Sequence, residues 1–294
     1  MKRIVLFISI LIQLFSCEKE TEMEKIYKSV TINGDEISYF RIGKGEPLLL
    51  LHGALADNRM WNTHSDILAE DFDVIVPTQR HFGKNGPSDK PFGIETHTSD
   101  IITLLDQLEI DSVHVVAWSY GADIALNLAT KIPNKLTSLY VYEPGFPGCL
   151  DDNEMKVFGA DANEMFGPIF YAVQEHKLEE AVELLIDGSG NYKGYFQKQT
   201  EQLKREQLEN KNSLPLQLSQ SEQPNLDKEA LSKITTRSRV AYGEYTRDLF
   251  MVVSNAVYSN LQNSSIDKVE NATHMYPMEK PHEFSDKVKS FIQK

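Results

Sequence analysis

The stretch "VVAWSYGAD", residues 115–123, joins a strand pattern directly to a helix pattern. Apolar residues run up to Ser119, and the helically spaced segment "GADIALNLATKIP" begins two residues later. Small residues lie two before and two after the serine, at Ala117 and Gly121, and a tight turn needs them because larger side chains would collide with neighbouring backbone. Such a turn exposes the hydroxyl and aims helix N-terminal amides, including that of Tyr120, at an incoming oxyanion. Ser119 is therefore a candidate nucleophile.

Strand and helix patterns alternate on both sides of this turn. "EPLLLLHG" and "DVIVP" are continuous apolar runs, as in strands buried on both faces of a parallel sheet, and "SDIITLLDQLEI" has helical spacing. "KIYKSVTINGDEISYFRIG" resolves into two alternating strands joined by Asn33-Gly34, a strong hairpin signal. The pattern predicts an α/β fold: a doubly wound, mostly parallel sheet with helices on both faces.

The alternation stops in the middle of the chain and resumes at "SRVAYG". Between these points, "NEMFGPIFYAVQ", "KLEEAVELLID" and "YFQKQTEQLKREQLEN" are successive amphipathic helix candidates with no buried strand among them. We therefore expect a helical cap inserted at residues 147–236 into a core built from residues 26–146 and 237–294.

Charge and motif content exclude several classes of function. The chain has 294 residues, with 30 Lys and Arg against 43 Asp and Glu and a formal net charge of −13, so no basic surface offsets phosphate repulsion. The sequence contains neither a His-Glu-x-x-His motif nor a Cys-x-x-Cys pair. We expect no nucleic-acid partner, no metal and no other cofactor.

The N-terminus has the features of an export signal. Lys2 and Arg3 precede the apolar run 4–15, which is too short to span a bilayer as a helix. The run ends in "LFSC", which resembles a bacterial lipoprotein signal with cleavage before Cys17 and lipid on its sulfur. Residues 1–16 would then be a signal peptide, residues 17–25 a lipidated tether, and the protein a membrane-anchored lipoprotein of the cell envelope. A plain signal peptide with a chance cysteine, or a membrane-anchoring segment, are the alternatives.

Three stretches resemble the α/β-hydrolase superfamily. The turn at Ser119 is similar to its nucleophile elbow, in the form A-x-S-x-G rather than the commoner G-x-S-x-G. "LLLLHGALADNRMW" resembles its oxyanion loop, which implies that the Ala54 amide is the second oxyanion donor beside that of Tyr120, with His52 supporting the loop. "ENATHMYPMEKPHEF" resembles its final motif and implies that His274 is the general base.

The acid departs from the common pattern of the superfamily. A Gly-x-x-Asp usually follows the strand that corresponds to "SRVAYG", but here Thr246 occupies the acid position. Some α/β-hydrolases, including certain dehalogenases, take the acid from the end of the sixth strand, and "LTSLYVYEPG" places Glu143 there, one helix and one strand after Ser119. We favour Glu143; Asp248, Glu244 or the absence of any acid are the alternatives.

The resemblance also implies a reaction class. Epoxide hydrolases and haloalkane dehalogenases of this fold use an aspartate at the elbow, so a serine implies acyl transfer through an acyl-enzyme that water hydrolyses. We expect a serine carboxylesterase acting on a small-molecule ester. The alternatives are hydrolysis of an amide, lactone, thioester or carbon–carbon bond, and a non-catalytic binding protein. The expected residues of an apolar acyl pocket are Leu55, Trp118, Met275, Phe166, Phe170 and Tyr171.

Overall fold

A computed structural model describes residues 23–294 of the chain. The predicted signal peptide and Cys17 lie outside the described residues. Between residues 23 and 294, none of the helices has both the length and the apolar character that crossing a bilayer requires.

One sheet forms the centre of the described structure. Its strands lie in the order β1-β2-β4-β3-β5-β6-β7-β8, with β1–β2 and β2–β4 paired antiparallel and the remaining pairs parallel. Asn33 and Gly34, both with positive φ, close the β1–β2 hairpin as expected. The strands are β1 (Ile26–Ile32), β2 (Asp35–Gly43), β3 (Glu46–Leu51), β4 (Phe72–Pro77), β5 (Val113–Trp118), β6 (Leu136–Tyr142), β7 (Arg237–Gly243) and β8 (Ser264–Val269).

Helices cover both faces of this sheet. Alternate strand residues belong to opposite cores: Leu48 and Leu50 of β3 face one hydrophobic cluster, Leu49 and Leu51 the other. The predicted doubly wound, mostly parallel α/β sheet is confirmed. The helices are α1 (Asn62–Leu68), α2 (Ile94–Gln107), α3 (Tyr120–Lys131), α4 (Asp152–Gln174), α5 (Leu178–Ser189), α6 (Tyr195–Lys198), α7 (Glu201–Glu209), α8 (Ser213–Leu218), α9 (Lys228–Leu231), α10 (Asp248–Asn260), α11 (Tyr276–Glu279) and α12 (Pro281–Ile292).

The parallel register brings the carboxyl ends of β5, β6 and β7 side by side. Trp118 at the end of β5 pairs with Tyr142 at the end of β6, and Tyr142 pairs with Ala241 of β7. The backbone N–H of Ser119 donates to the Tyr142 carbonyl at 2.9 Å, and that of Glu143 donates to the Ala241 carbonyl at 3.0 Å. Residues that follow these strands therefore meet at one edge of the sheet, where ligands bind in open α/β sheets.

Helices α4 to α9 lie between β6 and β7 in the chain. Helix α4 begins with a reciprocal capping arrangement between Asp151 and Glu154, and it packs against α5 and α10. Helix α9, although it lies inside the expected cap range 147–236, contacts α3 and α10, and its Leu231 belongs to the cluster on one face of the sheet. That range therefore includes a short helix that packs with the core.

A buried polar cluster connects α7 to the loop after β3. The Asn210 side chain donates to Asp57 Oδ2 at 3.1 Å and accepts from the Gly83 amide at 2.7 Å. Glu206 Oε1 lies 3.4 Å from the Asp57 amide nitrogen, and both carboxyl groups are almost fully buried. Arg59 Nη2 donates to Asp57 Oδ2 at 2.7 Å, and the rest of the Arg59 side chain is partly exposed to solvent. The cluster ties α7 to the loop that follows the His52-Gly53 turn.

This cluster predicts a pH dependence of stability. Burial, together with the adjacent Asp57 carboxylate and against the pull of Arg59, raises the pKa of Glu206 from 4.5 to about 8. Between those values the folded chain holds a proton that the unfolded chain has lost, so stability falls as pH rises, by up to about 1.4 kcal/mol per pH unit. Glu206→Gln, which has no proton to lose, should be as stable as the wild type at pH 5 and clearly more stable at pH 8.5.

Urea unfolding at both pH values measures this difference. Glu201→Gln makes the same change at an exposed position of α7, and its stability should follow that of the wild type at each pH. If Glu206→Gln and the wild type lose stability in parallel between pH 5 and 8.5, Glu206 is already ionised in the folded chain.

Candidate active site

Ser119 lies at the turn between β5 and α3 in a backbone conformation that non-glycine residues rarely adopt, with φ of 55° and ψ of −126°. The neighbouring backbone comes very close. A Cβ on Gly121 would lie 2.5 Å from the His52 carbonyl oxygen, and one on Gly53 would lie 2.8 Å from the Trp118 ring. Only glycine fits at these two positions, which explains the glycine two residues after Ser119.

The His274 ring lies between Ser119 and Glu143. Its Nε2 is 2.9 Å from Ser119 Oγ, and its Nδ1 is 2.6 Å from Glu143 Oε2. Because a carboxylate only accepts, Nδ1 carries the proton, and Nε2 is left to accept the serine proton. The ring stacks on Phe250, with centroids 3.8 Å apart and planes 10° apart, and the Trp118 indole N–H donates to the His274 carbonyl at 2.8 Å.

Glu143 is fully buried directly after β6, with a positive φ of 48°. Three donors surround its carboxylate. The Gly243 amide donates to Oε1 at 2.7 Å, and the Thr246 hydroxyl donates to Oε2 at 2.7 Å, the same oxygen that contacts His274. Buried carboxylates need such partners, and these three fix its position beside the imidazole.

The alternative acids point elsewhere. Asp248 is exposed at the first residue of α10, and Glu244 accepts from the Asn271 amide at 3.2 Å and from Lys268 at 3.4 Å. In the described part of the chain, neither carboxylate contacts His274. Thr246 occupies the usual acid position without replacing the acid, because its hydroxyl binds Glu143.

The residues of the two expected oxyanion amides lie beside Ser119. Tyr120 is the first residue of α3, and Ala54 lies in the loop after β3; both line the same cavity as Ser119. Neither amide donates a hydrogen bond to any residue between 23 and 294, so both are free to bind an oxyanion. His52 supports this loop, since its Nε2 accepts from the Gln79 amide at 3.0 Å while Nδ1 donates to the Gly53 carbonyl at 2.9 Å. Burial lowers the pKa of His52 to about 4, so the ring is neutral.

A cavity of about 380 Å³ opens above Ser119 and His274. Its walls come from the core and from helices α4, α5 and α8, and they are mainly apolar. No Lys or Arg among the described residues lines it, and Asp123 is the only acidic residue that does. Across the described residues, no group of three or more His, Cys, Asp and Glu side chains could hold a metal ion.

Four of the expected pocket residues line this cavity, namely Trp118, Met275, Phe166 and Phe170. Two do not. Leu55 is fully buried in the hydrophobic core, where its positive φ of 54° accompanies the sharp bend of the loop, and Tyr171 is 62% exposed on the outer side of α4. A helical pattern in the sequence predicts which residues share a face of the helix. It does not predict which face lines the cavity.

Three residues at the site were not expected from the sequence. Phe250 stacks on His274, Thr246 binds Glu143, and Asp123 lines the cavity. Thr246 was identified in the sequence only as the residue at the usual acid position, and Asp123 carried a local signal as an acid one helical turn after Ser119. The roles of Phe250 and Thr246 depend on contacts with His274 and Glu143, which belong to other segments of the chain.

Comparison with known proteins places this chain among related folds. Residues 46–252 match the family model of the alpha/beta hydrolase fold. The chain is 29% identical over 120 residues to the soluble epoxide hydrolase of Corynebacterium sp. strain C12, covering 41% of this chain and 42% of that protein. It is 29% identical over 119 residues to the 2-hydroxy-6-oxo-2,4-heptadienoate hydrolase of Pseudomonas putida, covering 39% of this chain and 43% of that one. The chain thus spans about two fifths of the length of these curated relatives.

A solved structure has a similar fold over nearly the whole chain. The esterase EaEST from Exiguobacterium antarcticum superposes with a TM-score of 0.75 at 18% identity, covering 92% of this chain and all of that one. At 18% identity this superposition shows a shared fold and nothing about function. The family model, however, matches well over half of the chain, and the chain belongs to the α/β-hydrolase family.

Proposed function

We propose that the chain is a serine hydrolase, and specifically a carboxylesterase that uses Ser119 as nucleophile, His274 as base and Glu143 as the acid. The observation that carries this proposal is the position of the His274 ring, with Nε2 2.9 Å from the Ser119 hydroxyl and Nδ1 2.6 Å from the Glu143 carboxylate. These are the distances and the order of groups that general-base activation of a serine requires.

The reaction would proceed in two acyl-transfer steps. Ser119 Oγ attacks the ester carbonyl as its proton passes to His274 Nε2, and the amides of Ala54 and Tyr120 hold the negative charge on the carbonyl oxygen. The imidazolium, stabilised by Glu143, returns the proton to the leaving alcohol. Water then enters, loses a proton to His274, and hydrolyses the acyl-enzyme to release the acid and regenerate Ser119.

The cavity supports an uncharged acyl group. Phe158, Phe166, Phe170, Leu185 and Leu214 contribute apolar surface around Ser119, and in the described structure no cation is present there to hold a substrate carboxylate. Esters of medium-sized apolar acids fit such a site better than anionic substrates do.

The nucleophile distinguishes this proposal from the chemistry of one relative. A matching protein is named a soluble epoxide hydrolase, and epoxide opening on this fold uses an aspartate at the position of Ser119. A serine there favours acyl chemistry, because the ester that it forms with an acyl group is one that water can hydrolyse.

An activity screen tests the proposal. p-Nitrophenyl esters from acetate to laurate should be hydrolysed, with the highest kcat/KM at the chain length that fills the cavity. Lactone, thioester, anilide and β-diketone substrates in the same screen test the other bonds that these residues could cleave. A protein that binds esters but hydrolyses none of these substrates, and does not react with a fluorophosphonate, would be a binding protein.

We also propose that the protein is exported and held at a membrane through lipid on Cys17, on the basis of the "LFSC" stretch alone. Two or more acyl chains on one cysteine would hold it stably, because each buried CH₂ contributes about 0.8 kcal/mol. Cys17→Ser should block processing and leave a precursor that keeps residues 1–16. Mass spectrometry of the wild-type N-terminus checks this, and an unmodified N-terminus would contradict it.

A further inference from the structure

We infer that Asp123 makes this cavity selective for substrates that carry a hydrogen-bond donor, an inference that rests on the proposed ester hydrolysis. Asp123 belongs to neither the nucleophile–base–acid set nor the oxyanion site. It nevertheless lines the same cavity as Ser119 and His274. Its side chain is the one acidic group that a bound substrate would meet along the described walls.

One oxygen of Asp123 is fully used by the protein. Asp123 lies one helical turn after Ser119 and is only 5% exposed. Its Oδ1 accepts from the amides of Gly145 and Phe146, at 2.9 and 3.0 Å. These amides belong to the loop that follows Glu143, so Oδ1 fixes the cavity wall nearest to the acid.

The second oxygen has no such partner. No donor between residues 23 and 294 hydrogen-bonds to Oδ2, and it lies on the side of Gly145, 3.9 Å from where a Cβ on that glycine would be. Oδ2 does not belong to the fully buried unpaired oxygens of the described residues, so it is accessible at the cavity wall and can accept a hydrogen bond from a bound molecule. A donor on the substrate would form that hydrogen bond, whereas an apolar group in the same place would leave the oxygen unpaired.

The protonation of Asp123 sets the pH range in which this preference holds, because only the ionised carboxylate accepts at Oδ2, whereas the protonated acid would donate from it. Burial raises the pKa of Asp123 to about 7, although the hydrogen bonds from Phe146 and Gly145 lower it. No Lys or Arg of the described chain lines the cavity to neutralise the group. A hydroxyl, an amide N–H or an ammonium group could each supply the missing hydrogen bond, and hydrogen bonds to charged groups are among the stronger ones.

Asp123→Asn separates recognition from a purely structural role. The amide oxygen can still accept from the Gly145 and Phe146 amides, so the loop after Glu143 is retained, but the group that faces the cavity becomes an NH₂ donor. A role confined to holding the loop predicts no change in substrate preference. A role in recognition predicts that the preference for donors is lost and that substrates with an acceptor gain.

The experiment uses esters matched in length, with a methyl, a hydroxymethyl or an aminomethyl terminus in the acyl or in the alcohol part. At pH 8.5, where Asp123 is mainly ionised, we expect the wild-type kcat/KM to be about tenfold or more higher for the best donor ester than for its methyl match. Asp123→Asn should remove this ratio. Comparison of the hydroxymethyl ester with the aminomethyl ester, which carries an ammonium group, shows whether the preferred donor is neutral or charged. Asp106→Asn makes the same change at an exposed position of α2 and should keep the wild-type ratio.

The outcomes are distinct. A wild type that labels with a fluorophosphonate and hydrolyses esters, yet treats donor and methyl esters equally, overturns the inference alone, and this comparison needs no variant to fold. A donor preference that survives in Asp123→Asn also overturns it. A wild type that neither labels nor hydrolyses any ester overturns the proposed function and the inference together.

Discussion

Ser119→Ala should abolish covalent labelling by a fluorophosphonate and lower kcat by about 10⁴- to 10⁶-fold. Alanine removes the hydroxyl that lies 2.9 Å from His274 Nε2, so the proposed nucleophile is lost and no acyl-enzyme can form on it. The backbone at this position, with φ of 55°, tolerates alanine as well as it tolerates serine, since both carry a Cβ. The loss should therefore be one of chemistry, with substrate binding and thermal stability close to those of the wild type.

Gel-based labelling and p-nitrophenyl ester hydrolysis measure these two effects. Ser254→Ala is the matched control, because Ser254 is a buried serine on α10 whose hydroxyl has no hydrogen-bond partner among the described residues. Labelling of this control should equal that of the wild type. Undiminished labelling of Ser119→Ala would show that another residue is the nucleophile and would contradict the serine hydrolase proposal.

The features that the sequence predicted are those that local patterns encode. The strand, tight turn and helix around Ser119 follow from an apolar run, small residues and helical spacing within a short segment. The β1–β2 hairpin follows in the same way from Asn33 and Gly34. The turn and the hairpin are both determined by residues that are neighbours along the chain, so the sequence alone predicts them.

The unexpected features depend on contacts between distant segments. Phe250 reaches His274 only because α10 begins beside the end of β7, and no pattern around Phe250 distinguishes it from an ordinary core residue. Leu55 was expected in the pocket, but its side chain is fully buried in the hydrophobic core. Short helices such as α9, which packs with the core, carry too few residues for periodicity to assign a face.

The position of Glu143 follows from sheet geometry once β6 and β7 are known to be neighbours. Their parallel register pairs Tyr142 with Ala241, so a carboxylate after β6 and one shortly after β7 can reach the same imidazole. The Thr246 hydroxyl, which follows β7, lies 2.7 Å from Glu143 Oε2, which follows β6. The segments after these two strands therefore meet beside His274. A carboxylate after β6 and a hydroxyl after β7 are therefore compatible parts of one site.

Glu143→Gln should lower kcat by about 10⁴, the cost of the corresponding aspartate-to-asparagine change in the chymotrypsin triad. The physical reason lies in the three donors. Oε1 accepts from the Gly243 amide, while Oε2 accepts from both Thr246 and His274. In one orientation the glutamine NH₂ faces the Gly243 N–H, so two hydrogen-bond donors oppose each other and neither finds an acceptor. In the other it faces His274 Nδ1 and favours the tautomer protonated at Nε2, which cannot accept the Ser119 proton.

Graded variants show whether Glu143 acts through the imidazole. Thr246→Val removes one hydrogen bond to the carboxylate and should lower kcat by about tenfold, far less than Glu143→Gln. Asp248→Asn changes an exposed carboxylate away from His274 and should leave kcat within about twofold. KM should change little in all three variants, because none of these side chains lines the cavity. A large loss in Asp248→Asn with an active Glu143→Gln would assign the proposed role of the acid to Asp248, even though in this structure it is Glu143 that contacts His274.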